Sequence, residues 1–382
     1  MNNRPTFDTI QSGQDLLEAM PEVWAALQQK VQRMMKQLKG KTPHAADHQV
    51  YDDSQLDWWT SGFWPGTLWL LYDMTGDPQY REEAQDWDVR LEQCFLRESR
   101  FHHDVGFQFL LTAVMKHRLT DDQEARRRAL HAANFLAGRF NLAGNFIRAQ
   151  NEGKVGGSII DSAMNLSLLF WASEEAEDPR YRHIALAHAQ TILARFIRED
   201  GSVRHIVKFD PATGEVLEAL GGQGYSPDSS WSRGQAWALY GLANVYRNTG
   251  DRVYLDAARK VANYFIAASQ EETIPAWDFR VPDSANEPRD TSAAAIAASG
   301  LLNIASQLPE PEGRMYRFAA LKLLAALTSG YAAWDEPEFE GILRGGTGNK
   351  PIMQNVDAAL IYGDYYYVEA LAKLQGWNRH LF

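Results

Sequence analysis

The chain predicts an all-α fold, an (α/α)6 barrel with short β-hairpins in its loops, on three observations. Helix-starting aspartates recur along it, segments apolar on most faces lie between them, and strand signals are few and short.

The first outer helix is expected over 14–38. The next ones follow a repeated start in which Asp is followed three residues on by Tyr and four further by Ala: Asp77, Tyr80 and Ala84; Asp178, Tyr181 and Ala185; Asp251, Tyr254 and Ala258. Each Asp can accept hydrogen bonds from first-turn amides, and Pro78 and Pro179 stand where a proline sacrifices no helical bond. Weaker starts near Asp121 and Gly313 bring the outer helices to six. The inner segments run over 62–72, 106–115, 159–171, 231–246, 291–304 and 365–374, and apolarity on all faces implies burial. Small residues such as Ala293, Ala294, Ala295, Ala297 and Ala298 let neighbouring helices approach closely. Strand signals such as 203–209 read as hairpins within loops. A closed toroid in one domain, 1–382, is the simplest solution. An open superhelix of helix pairs is the rival, and it needs polar capping repeats that the sequence lacks.

Composition narrows the function classes. With 45% hydrophobic and 23% charged residues, the 382-residue chain can bury a large core. Its 12 Trp, 15 Tyr and 17 Phe exceed ordinary aromatic content and offer stacking platforms for a ligand in addition to core filling. A net charge of -11 argues against nucleic acid, which needs clustered cations. The single cysteine, Cys94, forms no intramolecular disulfide and no cysteine metal cluster. The first twenty residues lack a secretory pattern and no run reaches membrane-spanning length, so a cytoplasmic protein is expected. No phosphate loop or dinucleotide fingerprint appears, and no cofactor is expected.

In the toroid every inner helix starts on the same face, so the loops before those starts should form one cavity. They hold Asp57, Trp58 and Trp59; His102, His103 and Asp104; Asp161; Gln223 and Arg233; Asp290; and Asp364. Capping alone accounts for a lone Asp at a helix start. Asp104 departs from it because two histidines crowd it in HHDVGF, and Asp161 because it follows GGSII at the edge of a buried helix, where desolvation raises a carboxyl pKa. Two such carboxyls are the equipment of glycosidic chemistry. His102 and His103, as neighbours, are expected to point apart, and without a helical His pair no metal is expected. Arg233 and Trp237 share one helical face, where a cation and a ring can meet the same ligand. His205, in the hairpin segment, reads equally as a surface residue.

Six motifs in order carry a resemblance: DWWTSGFWPG from Asp57, HHDVGF from His102, IIDSAMNLSLLFWA from Ile159, DSSWSRGQAWALYG from Asp228, RDTSAAAIAASGLL from Arg289 and YGDYYYVEAL from Tyr362. Through them the chain resembles unsaturated glucuronyl hydrolases, glycoside hydrolase family 88, over nearly its whole length. The resemblance implies an (α/α)6 barrel acting on oligosaccharides left by polysaccharide lyases, glycosaminoglycan-type disaccharides foremost, with a 4,5-unsaturated uronic acid at the non-reducing end. It implies that Asp161 protonates C4 and activates water for attack at C5, with Asp104 fixing the substrate and tuning its partner. His103, Trp59, Trp237, His205, Gln223 and Arg233 are implied around the sugar. Departures are Val105, Tyr362 and the loop 344–355, where Thr347, Asn349 and Lys350 stand in a region that reads sulfate in some relatives. Lys350 either binds sulfate or faces solvent. The alternatives are an unsaturated rhamnogalacturonyl hydrolase, another (α/α)6 glycosidase, and a non-catalytic helical scaffold that binds peptides.

Overall fold

The computed structural model describes residues 7–382 apart from 152 and 271. Part of the N-terminal stretch screened above for a leader, residues 1–6, therefore lies outside the described residues.

The inner helices are Phe63–Thr75, a helix running from Val105 to Thr120, Ser162–Glu175, Ser232–Thr249, Thr291–Ser306 and Ile361–Leu374. Each packs on the next, and the last packs on the first, which closes the ring and excludes the open superhelix. They are buried on every face, as in the unbroken buried run from Ser232 to Val245. The outer helices bury one stripe. In Met20–Gln37 this is Met20, Val23, Trp24, Leu27, Lys30, Val31 and Met34, spaced at the helical period.

Aspartate capping holds at Asp77, Asp178 and Asp251, each accepting from the amide two residues on. Several boundaries differ from expectation. The 14–38 helix is split into Gly13–Glu18 and Met20–Gln37, with Pro21 in the first turn of the second. The cap near Asp121 is Asp122, because Asp121 itself takes the left-handed conformation that ends the preceding helix. Glu310–Gly330 starts three residues before Gly313, which is needed inside it: an added Cβ would strike the Ala305 carbonyl. The second inner helix widens into a π-turn over Leu110–Val114. Among the described residues no helix is long and apolar enough to cross a membrane.

Links from an inner to the next outer helix are short, two residues at Gly76–Asp77 and at Gly250–Asp251. The links from outer to inner helices are long and carry all the sheet structure. Gly157–Ile159, Ile206–Phe209 and Val216–Leu220 form one antiparallel sheet, with Ile159 opposite Ile206. Gly346–Asn349 and Gln354–Leu360 form a hairpin, and Ala45–Asp47 joins its second strand with Ala45 opposite Leu360. These sheets wall one end of the barrel.

Candidate active site

A cleft of about 430 Å³ opens at that end. Of the expected site residues, Trp59, His103, Asp104, Asp161, His205, Gln223 and Arg233 line it, together with His44, Trp58, His102, Gln150, Lys154, Asn349, Gln354, Asn355 and Tyr362.

Asp104 and Asp161 both occupy N-terminal cap positions, yet neither makes a side-chain cap bond, so both carboxyls are left for other work. Asp104 Oδ1 accepts from Asn165 Nδ2 at 2.8 Å. His103 Nε2 lies 3.2 Å from the same oxygen and His102 Nδ1 3.6 Å from the other. The imidazoles were expected to diverge. They stack instead, with centroids 4.9 Å apart, because both rings turn toward the one carboxyl. His103 donates from Nδ1 to the Ala149 carbonyl at 2.9 Å, which leaves Nε2 as the nitrogen facing Asp104. These three residues are the group with metal-type donor atoms within 4.8 Å of one another among the described residues.

Burial pushes Asp161 up to about 7, the negative charge of Asp104 adds to the shift, and Arg233 opposes it. Asp104 is also raised by burial, but His102, the Asn165 bond and Arg139 pull it back. Two buried carboxyls that feel each other's charge do not both ionise readily. More neighbours oppose the shift at Asp104 than at Asp161, so Asp161 is the carboxyl favoured to keep a proton. Asp161 Oδ2 is buried without a hydrogen-bond partner, a proton-bearing position with nothing to hold it back. Asn165 connects the two elements: it also donates to the Asp161 carbonyl and accepts the Phe107 amide at 2.9 Å.

His205 Nε2 stands 3.9 Å from Asp161 Oδ2. His205 Nδ1 sits between the Gln223 amide at 2.9 Å and the Gly221 carbonyl at 3.1 Å, which fixes the ring with Nε2 toward Asp161. Gly222 makes this turn with φ +60°, and a Cβ there would strike the His205 ring. Burial lowers His205 to about 3, His103 to about 3, and His102 and His44 to about 4, so all four are neutral near pH 7. Arg233 is a buried clamp. It pairs with Asp290 at 2.7 Å and donates to the Thr347 and Gly348 carbonyls and to Gln223 Oε1, each at 2.6 Å. Its charge lies 4.5 Å from the Trp231 ring. The same arginine thus pins the Gly346–Leu360 hairpin over the cleft.

Two expected residues stand elsewhere. Trp237 is fully buried, packed between Phe107 at 5.0 Å and the edge of Tyr366 at 5.3 Å, because four residues along a helix carry it one turn deeper than Arg233. It belongs to the barrel core beneath the cleft, not to the lining. Lys350 is outside the lining too, its ammonium 3.9 Å from Glu287, while Asn349 faces the cleft in its place. Asp57 is turned to the Arg100 amide, and Asp364 accepts the Ile342 and Leu343 amides and the Tyr51 hydroxyl. Asn165 escaped the sequence reading although a lone Asn in IIDSAMNLSLLFWA, four residues after Asp161, was a usable signal. Lys154, His44 and Asn355 carried none, since only the loops bring them in.

Residues 27–382 match the model of Glycosyl Hydrolase Family 88. The chain is 40% identical to the unsaturated glucuronyl hydrolase of Bacillus sp. (strain GL1) over 359 residues, 90% of this chain and 93% of that one. A crystal structure of unsaturated glucuronyl hydrolase from Bacillus sp. GL1, described as responsible for the degradation of glycosaminoglycan, superposes with a TM-score of 0.90 and 38% identity, covering 94% of this chain and 97% of that one. A mutant of the Streptococcus agalactiae unsaturated glucuronyl hydrolase, complexed with dGlcA-GalNAc6S, superposes with a TM-score of 0.83 and 30% identity over 94% and 93% of the two chains. The (α/α)6 ring, the paired aspartates on its open end and these likenesses agree: this chain belongs to glycosyl hydrolase family 88.

Proposed function

We propose that the protein removes a 4,5-unsaturated uronic acid from the non-reducing end of lyase-generated oligosaccharides, glycosaminoglycan-type disaccharides foremost, by hydrating the C4=C5 bond. The observation that carries the reading is the carboxyl of Asp161, raised by burial to about 7, with its Oδ2 buried and unpartnered in the cleft that it shares with Asp104. An ordinary retaining glycosidase needs a nucleophilic carboxylate as well as an acid. Here both carboxyls are buried in one cleft, and burial raises both. Asp161 gives its proton to C4, and the positive charge that grows at C5 and the ring oxygen is stabilised by Asp104. The Asp161 carboxylate then takes a proton from water as the water oxygen bonds to C5. The hemiketal opens to a C5 ketone, C1 becomes a hemiacetal, and its collapse to the aldehyde expels the remaining sugar. One water is consumed, and Asp161 ends protonated by the water it activated.

Trp59, 4.8 Å from Tyr362, supplies an aromatic wall, and His205 and Gln223 supply neutral polar groups around the ring. The buried Cys94, single in the chain, suits a reducing cytoplasm, and residues 1–382 serve as one catalytic unit. The test is the ultraviolet absorbance of the conjugated enol acid, which hydration consumes before the sugar leaves, whereas ordinary displacement releases it intact and loses it only later as the free sugar opens and ketonises. Wild type should bleach it on unsaturated chondroitin or hyaluronan disaccharides and Asp161→Asn should not. Sugar release with the absorbance intact would overturn the mechanism.

A further inference from the structure

Among the described residues, the cationic groups of the cleft lining are neutral or paired with a carboxylate except one. His44, His102, His103 and His205 are uncharged near pH 7, and Arg233 is paired with Asp290 and donates from both terminal nitrogens to three further acceptors. Lys350, on the opposite rim, faces Glu287. Lys154 lines the cleft, is exposed, and has no acidic partner among the described residues. In a chain of net charge -11, with two acidic residues in the same cleft, an exposed ammonium with no acidic partner among the described residues needs a reason.

Its mounting is rigid. The Gly157 amide donates to the Lys154 carbonyl at 3.1 Å, and the Phe209 amide to the Gly156 carbonyl at 2.9 Å. Gly156 must be glycine, since a Cβ would collide with the Phe209 carbonyl. On the other flank, Arg139 donates to the carbonyls of Arg148, Ala149 and Gln150 and to Asn151 Oδ1. The lysine therefore stands at one end of the Gly157–Ile159 strand whose other end leads into Asp161. The strand carries the two residues' backbones apart by roughly 10 Å at ~3.3 Å per residue, so Asp161 and Lys154 can meet different parts of one ligand.

Building on the hydration reading, we propose that Lys154 binds an anionic substituent, a sulfate ester or a carboxylate, on the sugar that leaves, and so sets the enzyme's preference among its substrates. A lysine serves either anion as a point charge. The opposite wall, Asn349, Gln354 and Asn355, offers neutral amides to the same sugar.

The test compares unsaturated uronyl disaccharides whose leaving sugar is neutral, sulfated or carboxylated, in wild type, Lys154→Ala and Lys154→Arg, by loss of the enol-acid absorbance. In wild type, kcat/KM for at least one anionic substrate exceeds that for the neutral one, through KM. In Lys154→Ala that ratio falls by about tenfold, the scale of one charge-assisted contact, and Lys154→Arg restores most of it. Whether sulfate or carboxylate loses more identifies the source of the anion. A parallel fall on neutral and anionic substrates would show that Lys154 serves the uronate itself or the fold, and overturn the proposal. So would an unaltered ratio, or a ratio lost in Lys350→Ala instead. If wild type bleaches no substrate, the hydration reading fails by itself. Calorimetric binding of the same disaccharides to Asp161→Asn and to Asp161→Asn/Lys154→Ala then makes the Lys154 comparison without turnover.

Discussion

Replacing Asn165 by leucine, close in shape, removes the amide that joins the two aspartates. Three contacts go: the 2.8 Å bond to Asp104, the 3.2 Å bond to the Asp161 carbonyl, and the acceptor of the Phe107 amide. The bond to Asp104 stabilises its charged form, and its loss raises the Asp104 pKa further. A hydrogen bond to a buried charge contributes about 1.5–3 kcal/mol, so a transition state that relies on anionic Asp104 loses roughly tenfold to a hundredfold in kcat/KM. The sign is specific. A group needed as an anion fails as pH falls through its pKa, so the acid limb of the kcat/KM profile moves to higher pH. The basic limb, set by the proton that Asp161 must hold, stays near 7. The unpaired Phe107 amide costs about 1–3 kcal/mol of stability, read by denaturant unfolding. Profiles of absorbance loss from pH 4 to 9 check the kinetics. An unmoved acid limb, with the variant folded, would refute the role given to Asp104.

Asp161→Asn should abolish turnover and stabilise the protein on the alkaline side. With the folded pKa raised to about 7 from 3.8, stability contributed by the protonated form is complete below pH 3.8 and lost as pH rises through 7. Since 15% of the side chain reaches solvent, the expected gain at pH 8 is about 1–3 kcal/mol, vanishing near pH 4, and equal melting temperatures at both pH values would contradict it. Arg233→Lys should cost about 3–5 kcal/mol, because an ammonium cannot serve Asp290, two carbonyls and Gln223 together. Faster amide exchange in 346–360 would report the freed hairpin. Trp237→Phe should lower stability by about 1–2 kcal/mol while KM changes less than about twofold, since the ring lies under the cleft and not in it. A large rise in KM would return Trp237 to the sugar.

The ring was legible because its two helix classes carry different chemistry. Outer helices declare themselves by aspartate caps and a one-sided apolar stripe; inner ones by apolarity all round. Asp104 and Asp161 were legible for a related reason, as carboxyls next to buried segments with neighbours that a cap does not need. What the pattern does not carry is depth. Arg233 and Trp237 share a helical face in any periodic reading, and only the packing of Phe107 and Tyr366 around the indole sets one of them below the floor. Nor does local spacing pair Ala45 with Leu360 or carry Asn355 to His44, since these meetings span the chain. Lys154 and Lys350 look alike as sequence. Their difference comes from Glu287, which one of them has nearby and the other does not.

The clamp formed by Arg139 has a consequence for anyone who wishes to transplant this loop. The Ala149 carbonyl that it holds is also the acceptor of His103, so the register of the histidine beside Asp104 and the perch of Lys154 hang from one guanidinium. A graft that swapped only the lysine turn would inherit a foreign anchor and tilt the histidine with it. The smallest portable cassette is 139–159, from the arginine to the strand that delivers Asp161.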